Sequence, residues 1–379
     1  MTITLQAFFE LLALGVKQRK EYATIAEHYE AVDWTQILQW AKEQSVIGLV
    51  VDGIDVLPPN LRPPEELYLQ ACAWATKIEQ SNQKQNKQVA HLFDVFGEKN
   101  LAATLMKGQG VALNYPNPLR RQCGDIDLYV GHARYAETNK LMESLGADEE
   151  GDEIIKHRSW FLDGIEIEVH KEMGVMAMPS HYRHFNRMLK QWYPSAIEHI
   201  TIEQTTIGVA PIQFDAVFLL VHILEHLLRE GISLRQPIDW LVFMNKHFEE
   251  LDLGMMERDL RKTGLLRFAS TLLTIGVRYM GFSDLDHCFP YMPTDKQVEL
   301  LLNEFMASGN FGMLKKKPKK SDPITRGFVI RKATSLVNII KRLFRLYSLA
   351  RGEASWFLWY TLKNSIYTRY KLITRKRNR

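Results

Sequence analysis

The stretch TLMKGQGVALNYPNPLRRQCGDIDLYV, residues 104–130, contains the two strands and the turn on which the predicted fold depends. A short apolar strand is predicted over residues 102–106, a turn follows at Lys107, and a second strand closes the stretch with two acids. Alternate side chains of an extended segment share a face, so Asp125 and Asp127 are predicted to point the same way. Such a sheet offers two carboxylates to one metal-bound phosphate.

A second stretch, IIKHRSWFLDGIEIEVH at residues 154–170, predicts a β-hairpin. Its Asp163-Gly164 pair is a strong two-residue turn signal between two strand-like runs. In the second run, isoleucine and valine alternate with Glu166, Glu168 and His170. A third carboxylate therefore reaches the same small α/β unit as the first two.

Length and composition indicate a folded protein. The chain has 379 residues, 46% of them hydrophobic, which is enough for two or three domains with their own cores. Its three cysteines are far apart and odd in number, which indicates a reducing compartment instead of a disulfide framework. No run of about 18 apolar residues predicts a membrane span, so we expect a cytoplasmic protein.

Four regions are predicted along the chain. They are an N-terminal helical region at 1–98, an α/β core at 99–213, a helical domain at 214–313 and a basic amphipathic C-terminal extension at 314–379. Asp33 is predicted to cap the helix that follows it. We expect the flanking helices to support the sheet and to grip whatever the core acts on.

The C-terminal extension differs in charge from the body. It holds 19 of the 48 Lys and Arg residues but two of the 44 acids. Residues 315–323 are typical of a linker, and a basic amphipathic helix and an aromatic segment follow. Three roles stay open: contact with an anionic surface of the inner membrane, binding of nucleic acid, or packing of the aromatic residues onto the body.

The ordered set of motifs resembles the nucleotidyltransferases of the DNA polymerase β superfamily. It consists of the Lys-Gly turn, an arginine pair, GDIDLYV and IEIEVH, and it is most similar to an uncharacterised bacterial nucleotidyltransferase-like group. DWTQILQWAKEQSVIGLV upstream, and LLVHILEHLL, SLRQPIDW and SGNFG downstream, resemble the helical flanks of that group. The resemblance covers residues 10–313 and implies an α+β fold, with a small mixed sheet flanked by N- and C-terminal helical domains.

This resemblance implies roles for the acids. Asp125 and Asp127 would bind Mg²⁺ or Mn²⁺, and Glu168 would be the third metal-binding acid and the acceptor of a proton. The reaction would move a nucleoside monophosphate from a nucleoside triphosphate to a hydroxyl, with release of pyrophosphate. Glu166 lies on the same face two residues earlier, so it competes with Glu168 for the third position. His170 is interpreted either as a partner of these acids or as an ordinary strand residue.

The resemblance also implies a phosphate-binding set, formed by Lys107, Gly108, Gly110, Arg120 and Arg121. Gly108 follows the predicted strand at the start of a helix, where free backbone N–H groups suit phosphate. The superfamily pattern has Gly followed by Gly or Ser, and this chain has Gln109 in the second position. The phosphate site therefore departs from the pattern more than the metal site does.

Four residues of the second helical domain stand out by spacing. His222 and His226 are four apart, as in a zinc-binding pair, although the other zinc ligands of such motifs are missing. They are better explained as residues of a core or of an acceptor groove. Arg235 and Asp239, also four apart, are most simply a helix-capping or interdomain ion pair, with contact to the substrate as the alternative.

Two further functions compete with the enzyme. The same fold could hold a nucleotide or a sugar phosphate without turnover, or the chain could be an adaptor that acts through its basic tail. Within the enzyme hypothesis, the acceptor stays open among a sugar phosphate, an aminoglycoside-like molecule, a tRNA end and a protein hydroxyl, because all present the same nucleophile.

Overall fold

A computed structural model describes residues 1–17, 22–150, 156–309, 337–361 and 363. The predicted linker at 315–323 and the basic end at 364–379 lie outside the described residues. None of the described helices is both long enough and apolar enough to cross a membrane.

The chain begins with helices: α1 (Ile3–Lys17), α2 (Ala23–His28), α3 (Trp34–Glu43), α4 (Ile47–Val56) and α5 (Glu65–Glu98). The predicted cap at Asp33 is confirmed, since its Oδ1 accepts a hydrogen bond of 2.9 Å from the backbone N–H of Gln36. Helices α1 and α4 cross closely at two glycines. A Cβ at Gly15 would lie 2.1 Å from the Leu49 carbonyl oxygen, and one at Gly53 equally close to the carbonyl of Leu11. Any side chain at either position would push the two helices apart.

From residue 104 strands and helices alternate: β1 (Thr104–Met106), α6 (Gly108–Ala112), β2 (Ile126–Tyr129), α7 (Gly131–Ser144), β3 (Asp148–Glu150), β4 (His157–Leu162), β5 (Ile165–His170), α8 (Pro179–Trp192), β6 (Glu198–Ile202) and β7 (Thr205–Val209). Within the described residues the strands form one seven-stranded sheet, in the order β3-β4-β5-β2-β1-β7-β6. The pairs β2–β5 and β1–β7 are parallel and the others antiparallel. The expected mixed sheet of an α+β protein is therefore present.

The predicted hairpin between β4 and β5 is confirmed. Leu162 pairs with Ile165, and Asp163 and Gly164 between them have φ angles of +52° and +77°, the left-handed conformation that a two-residue turn needs. A second antiparallel pair follows near the end of the core, where Glu198 of β6 pairs with Val209 of β7 and Ile202 with Thr205.

The two faces of the sheet differ in chemistry. Ile126, Leu128, Ile167 and Val169 of the central strands are buried in one apolar core, to which α5 and α7 also contribute. Full burial of such a side chain contributes about 1.5–3 kcal/mol. Because side chains alternate along a strand, the acids of β2 and β5 lie on the opposite face. Packing of the apolar face thus fixes which way the acids point.

The remaining helices are α9 (Ile212–Arg229), α10 (Arg235–Lys246), α11 (Leu253–Lys262), α12 (Leu266–Met280) and α13 (Asp295–Ser308), and residues of α9 and α10 lie beside the acids on that opposite face. Their buried residues share one apolar core with those of α1 and α4. The N-terminal helices therefore pack against this second set of helices, α9 to α13. Helix α5 also contacts the sheet at β6 and β7.

Two further helical segments, 337–346 and 351–361, belong to the C-terminal extension. Phe357 is buried, and the Glu353 carboxylate accepts hydrogen bonds from the backbone N–H groups of Ala177 (2.6 Å) and Met178 (3.3 Å). In contrast, Trp356 and Trp359 are exposed. The extension is therefore tied to the body along one side while aromatic side chains remain on the other.

Candidate active site

Three carboxylates converge on the polar face of the sheet. Asp125 comes directly before β2, Asp127 lies within β2, and Glu168 lies opposite Asp127 on the parallel neighbour β5. One oxygen from each carboxylate lies within 4.8 Å of the other two. An all-oxygen donor set of this kind suits Mg²⁺ or Mn²⁺.

Lys107 neutralises part of this charge. It lies in the turn between β1 and α6 with φ of +42°, an uncommon conformation for a residue with a side chain. Its Nζ is 2.8 Å from Oδ2 of Asp127, whose side chain is 2% exposed. Burial acts to lower the pKa of Lys107, but the charges of Asp127, Asp125 and Glu168 outweigh it and raise that pKa. Lys107 is therefore charged.

His170 links two of the acids. Its Nε2 lies 2.9 Å from Oδ1 of Asp127 and 3.0 Å from Oε2 of Glu168. Burial acts to lower the pKa of His170, and its hydrogen bonds to the two carboxylates outweigh that effect and raise it. For Asp127, burial is outweighed by Lys107 and His170, so its pKa lies well below its ordinary value. The two acids, Lys107 and His170 thus form one buried polar network.

His157 joins the network from β4. It lies opposite His170 in the antiparallel register, and its Nε2 is 3.2 Å from Oε1 of Glu168. Burial, helped by the charge of His170, lowers the pKa of His157 to about 3, so its ring is neutral. Sequence reasoning missed His157, because only the pairing of β4 with β5 brings it to the acids.

Glu166 and Glu168 differ in position. Among the described residues, Glu168 belongs to the three-carboxylate cluster and Glu166 does not. Burial, followed by the charges of Asp125 and Glu168, raises the pKa of Glu166 to about 7. Burial also raises the pKa of Glu168, and the hydrogen bond from His170 opposes this shift.

Residues 121–125, which we call the strap, lead into β2 and are held by polar residues of α5. Asn82 Nδ2 donates to the Arg121 carbonyl oxygen at 2.8 Å, and Gln85 Nε2 donates to the Gly124 carbonyl oxygen at 2.8 Å. Gln109, the departure from the superfamily pattern, is buried and donates to Gln85 Oε1 at 2.5 Å. Asn82 and Gln85 were missed in the sequence, where they look like members of a solvated polar helix.

The strap is also bound from α10, and here one expectation is wrong. Asp239 pairs with Arg121, at 2.9 Å to Nε and 2.5 Å to Nη2, and accepts a hydrogen bond of 2.7 Å from Tyr115. Arg235, the expected partner of Asp239, instead donates from Nη1 to the Gln122 carbonyl oxygen at 2.9 Å. The planar, buried guanidinium of Arg121 binds both oxygens of the Asp239 carboxylate, which the spacing along α10 had suggested as the partner of Arg235.

A cavity of about 30 Å³ lies between the strap, the acids and the helices α9 and α10. Its lining includes Lys107, Gly108 and Asp127 on the sheet side, and His222 and Arg235 on the helical side. A water molecule or an ion fits such a volume, whereas ligand pockets typically measure about 300–1,000 Å³. A nucleotide would therefore need α9 and α10 to move away from the sheet.

Several expected site residues lie elsewhere. Arg120 contacts Glu79 and lies 3.7 Å from Asp52, and among the described residues neither it nor Gly110 lines this cavity. Gly110 faces the side chains of β1 and β7. His226 lies 3.1 Å from Glu230. Burial lowers the pKa of its neighbour His222 far below the ordinary value, so His222 is a neutral ring in the cavity wall.

The family described as "Uncharacterised nucleotidyltransferase" matches residues 30–281, and the chain belongs to that family. No curated protein matches it. Among solved structures, an antigenic nucleotidyltransferase-like protein from Paracoccidioides brasiliensis is 16% identical, with 42% of this chain and 74% of that chain covered and a TM-score of 0.30. That likeness is too slight to carry any argument.

Proposed function

We propose that the protein transfers a nucleoside monophosphate from a nucleoside triphosphate to an acceptor hydroxyl, with pyrophosphate as the second product. The observation that carries this proposal is the cluster of Asp125, Asp127 and Glu168, whose carboxylate oxygens lie within 4.8 Å of one another beside a charged lysine. Family membership supports nucleotidyl transfer in general. The metal, the acceptor and the residue roles are our proposal.

The donor set fits divalent cations. Three carboxylates supply oxygen ligands, and Asp127 already has a strongly lowered pKa, so it is ionised and ready to coordinate. Mg²⁺ or Mn²⁺ bound there would neutralise charge on the triphosphate and lower the pKa of the attacking hydroxyl. Lys107 and His170 hold the acids together until then, because three carboxylates would otherwise be crowded into one site without a neighbouring donor or cation.

The side chains suggest a division of labour. Lys107 would release Asp127 and bind the β- or γ-phosphate of the nucleotide. Gly108 and Arg121 also line the cavity in which those phosphates would lie. Glu168, with its raised pKa, would accept the proton of the attacking hydroxyl. The acceptor oxygen would bond to the α-phosphorus as the bond to the β-phosphate oxygen breaks, and pyrophosphate would leave on the side of Lys107.

The experiment is pyrophosphate release from each of the four ribonucleoside triphosphates with Mg²⁺ or Mn²⁺, across a panel of hydroxyl acceptors. We expect the double substitution Asp125→Asn and Asp127→Asn to abolish release in any combination that supports it. Asp148→Asn, an exposed acid on β3, is the matched control and should retain activity. Equal loss in the control, or full activity in the double variant, would refute the assignment.

The second candidate is a module that binds a nucleotide or a sugar phosphate without turnover. Gln109 favours it over other non-enzymatic functions, because this residue stands where the superfamily's phosphate turn has Gly or Ser. Thermal stabilisation by a nucleotide, combined with an absence of pyrophosphate release under every acceptor, would support this alternative.

The C-terminal extension suggests a separate partner. Val337, Lys341 and Phe344 share one exposed helical face, and Phe344 is 79% exposed. Trp356 and Trp359 are exposed on the next helix. Apolar and aromatic side chains within a strongly basic segment favour an anionic membrane surface at the inner membrane. Sedimentation with phosphatidylglycerol vesicles should fall after Phe344→Ser and Trp359→Ser, whereas retained binding to single-stranded RNA alone would favour nucleic acid.

A further inference from the structure

A second, larger cavity lies on the other side of the strap. It measures about 260 Å³ and opens between α3, α4 and α5. Trp74 of α5, 46% exposed, forms part of its wall, and the Nζ atoms of Lys42 and Lys77 lie 5.0 Å and 5.3 Å from the centre of its ring. An exposed indole next to two exposed ammonium groups is an uncommon surface feature. We call this space the Trp74 cleft.

The Trp74 cleft and the cavity with the acids share one wall. Gln122 and Cys123 line the cleft, while Gly124 and Asp125 line the cavity. The strap therefore separates the two spaces, and it has no side chain at Gly124, where an added Cβ would meet no atom within 4 Å. A molecule in the cleft would therefore lie next to the acids without entering the cavity that holds Lys107.

The geometry of the reaction selects the occupant. In phosphoryl transfer the attacking and leaving oxygens lie roughly in line, on opposite sides of the phosphorus. If the pyrophosphate lies toward the side chains of Lys107 and Arg121, the attacking hydroxyl must approach the α-phosphorus from the side opposite to them. The Trp74 cleft is on that side. We propose that it binds the acceptor, and this assignment rests on the nucleotidyl transfer proposed above.

The lining also selects the chemical class of the acceptor. Within the described residues the cleft is lined by two cations, by apolar groups that include Ile47 and Ile78, and by no acid. Two ammonium groups attract phosphate or carboxylate and repel a polyamine, and an indole favours a flat or apolar body. The acceptor is accordingly an anionic molecule that carries a hydroxyl, such as a sugar phosphate or a nucleotide end, and not an aminoglycoside-like polyamine.

Three probes that share a fluorophenyl ring and differ in the charge of their polar group test the site: 4-fluorophenyl phosphate, 4-fluorobenzyl alcohol and 4-fluorobenzylamine. Broadening of their ¹⁹F resonances reports weak binding to the full-length protein. We expect the phosphate to bind and the amine not to bind. Trp74→Ala, and separately Lys42→Ala with Lys77→Ala, should weaken binding of the phosphate about tenfold, as expected for loss of a charge-assisted or aromatic contact. Lys87→Ala with Lys296→Ala removes two exposed lysines elsewhere and should leave binding unchanged.

Two further arms separate the acceptor role from simple anion binding. Mn²⁺ bound at the acids should increase the relaxation of the bound phosphate probe, and this increase should vanish in Asp125→Asn with Asp127→Asn while the probe still binds. MgATP should not displace the probe. Displacement of the probe by MgATP would show that the nucleotide itself binds in the cleft, and it would overturn the proposal. Equal binding of the amine probe, or unchanged binding of the phosphate probe by Trp74→Ala, would also overturn it. If electron paramagnetic resonance shows that Mn²⁺ binds at the acids and the bound probe still shows no Mn²⁺ effect, the acceptor role alone is overturned. If Mn²⁺ does not bind there, the proposed metal site is overturned instead.

Discussion

Replacing Lys107 with Met should affect metal and nucleotide in opposite directions. Lys107 Nζ is 2.8 Å from Asp127, whose side chain is 2% exposed, so the contact is a buried charge-assisted hydrogen bond. Such a bond contributes about 1.5–3 kcal/mol, roughly 10- to 150-fold in an equilibrium constant. Without the lysine, the three carboxylates lose a competing cation. In the absence of nucleotide, Mn²⁺ should then bind about 10- to 150-fold more tightly.

A nucleoside triphosphate should bind more weakly to the same variant, because Lys107 is proposed to contact its phosphates. The assay is titration of free Mn²⁺ by electron paramagnetic resonance, followed by titration of a non-hydrolysable triphosphate at saturating Mn²⁺. Lys140→Met, an exposed lysine on α7, is the matched control. Unchanged or weaker Mn²⁺ binding by Lys107→Met would refute the view that lysine and metal compete for Asp127.

Three other predictions follow from the same network. Glu168→Gln should weaken Mn²⁺ binding about tenfold or more, whereas Glu166→Gln should change it little at pH 6, because Glu166 has a pKa of about 7 and is largely protonated there. Asp239→Ala leaves the buried Arg121 without its partner and should lower the free energy of unfolding in urea by about 3–5 kcal/mol, with a large part recovered when Arg121 becomes Met. Burial, opposed by Arg120, raises the pKa of Asp52 from 3.8 to about 7. The stability that the protonated carboxyl contributes is therefore present below pH 3.8 and is lost as the pH rises to about 7. In urea unfolding, the stability advantage of Asp52→Asn should grow by up to about 1.4 kcal/mol per pH unit between these two values and then level off.

The parts of the site that were predictable are those encoded in local pattern. Alternation along β2 and β5 placed Asp127 and Glu168 on one face, and the Asp163-Gly164 turn fixed the hairpin that carries Glu168. Both signals extend over fewer than ten residues. Their meeting in space depends on the parallel pairing of β2 with β5, which the sequence pattern did not predict; the family resemblance implied only that the three acids share one metal.

The parts that were missed depend on tertiary contacts. His157 reaches the acids only through the register of β4 against β5. Asn82 and Gln85 look solvated in a polar helix, yet they are buried because backbone groups of the strap need partners. The partner of Asp239 lies 118 residues away, so spacing along one helix assigned the wrong arginine. The predicted domain boundaries stay predictions, since buried residues of the first and second helical sets form one core.

The central claim is that Asp125, Asp127 and Glu168 bind the metal of a nucleotidyl transfer. It is tested most directly by a crystal structure with Mn²⁺ and a non-hydrolysable nucleoside triphosphate, with Mn²⁺ located by its anomalous scattering. We predict an anomalous peak within about 2.0–2.4 Å of oxygens from all three carboxylates, with Lys107 moved from Asp127 to a phosphate oxygen. A peak at any other group of residues, or a triphosphate bound away from the strap, would contradict the claim.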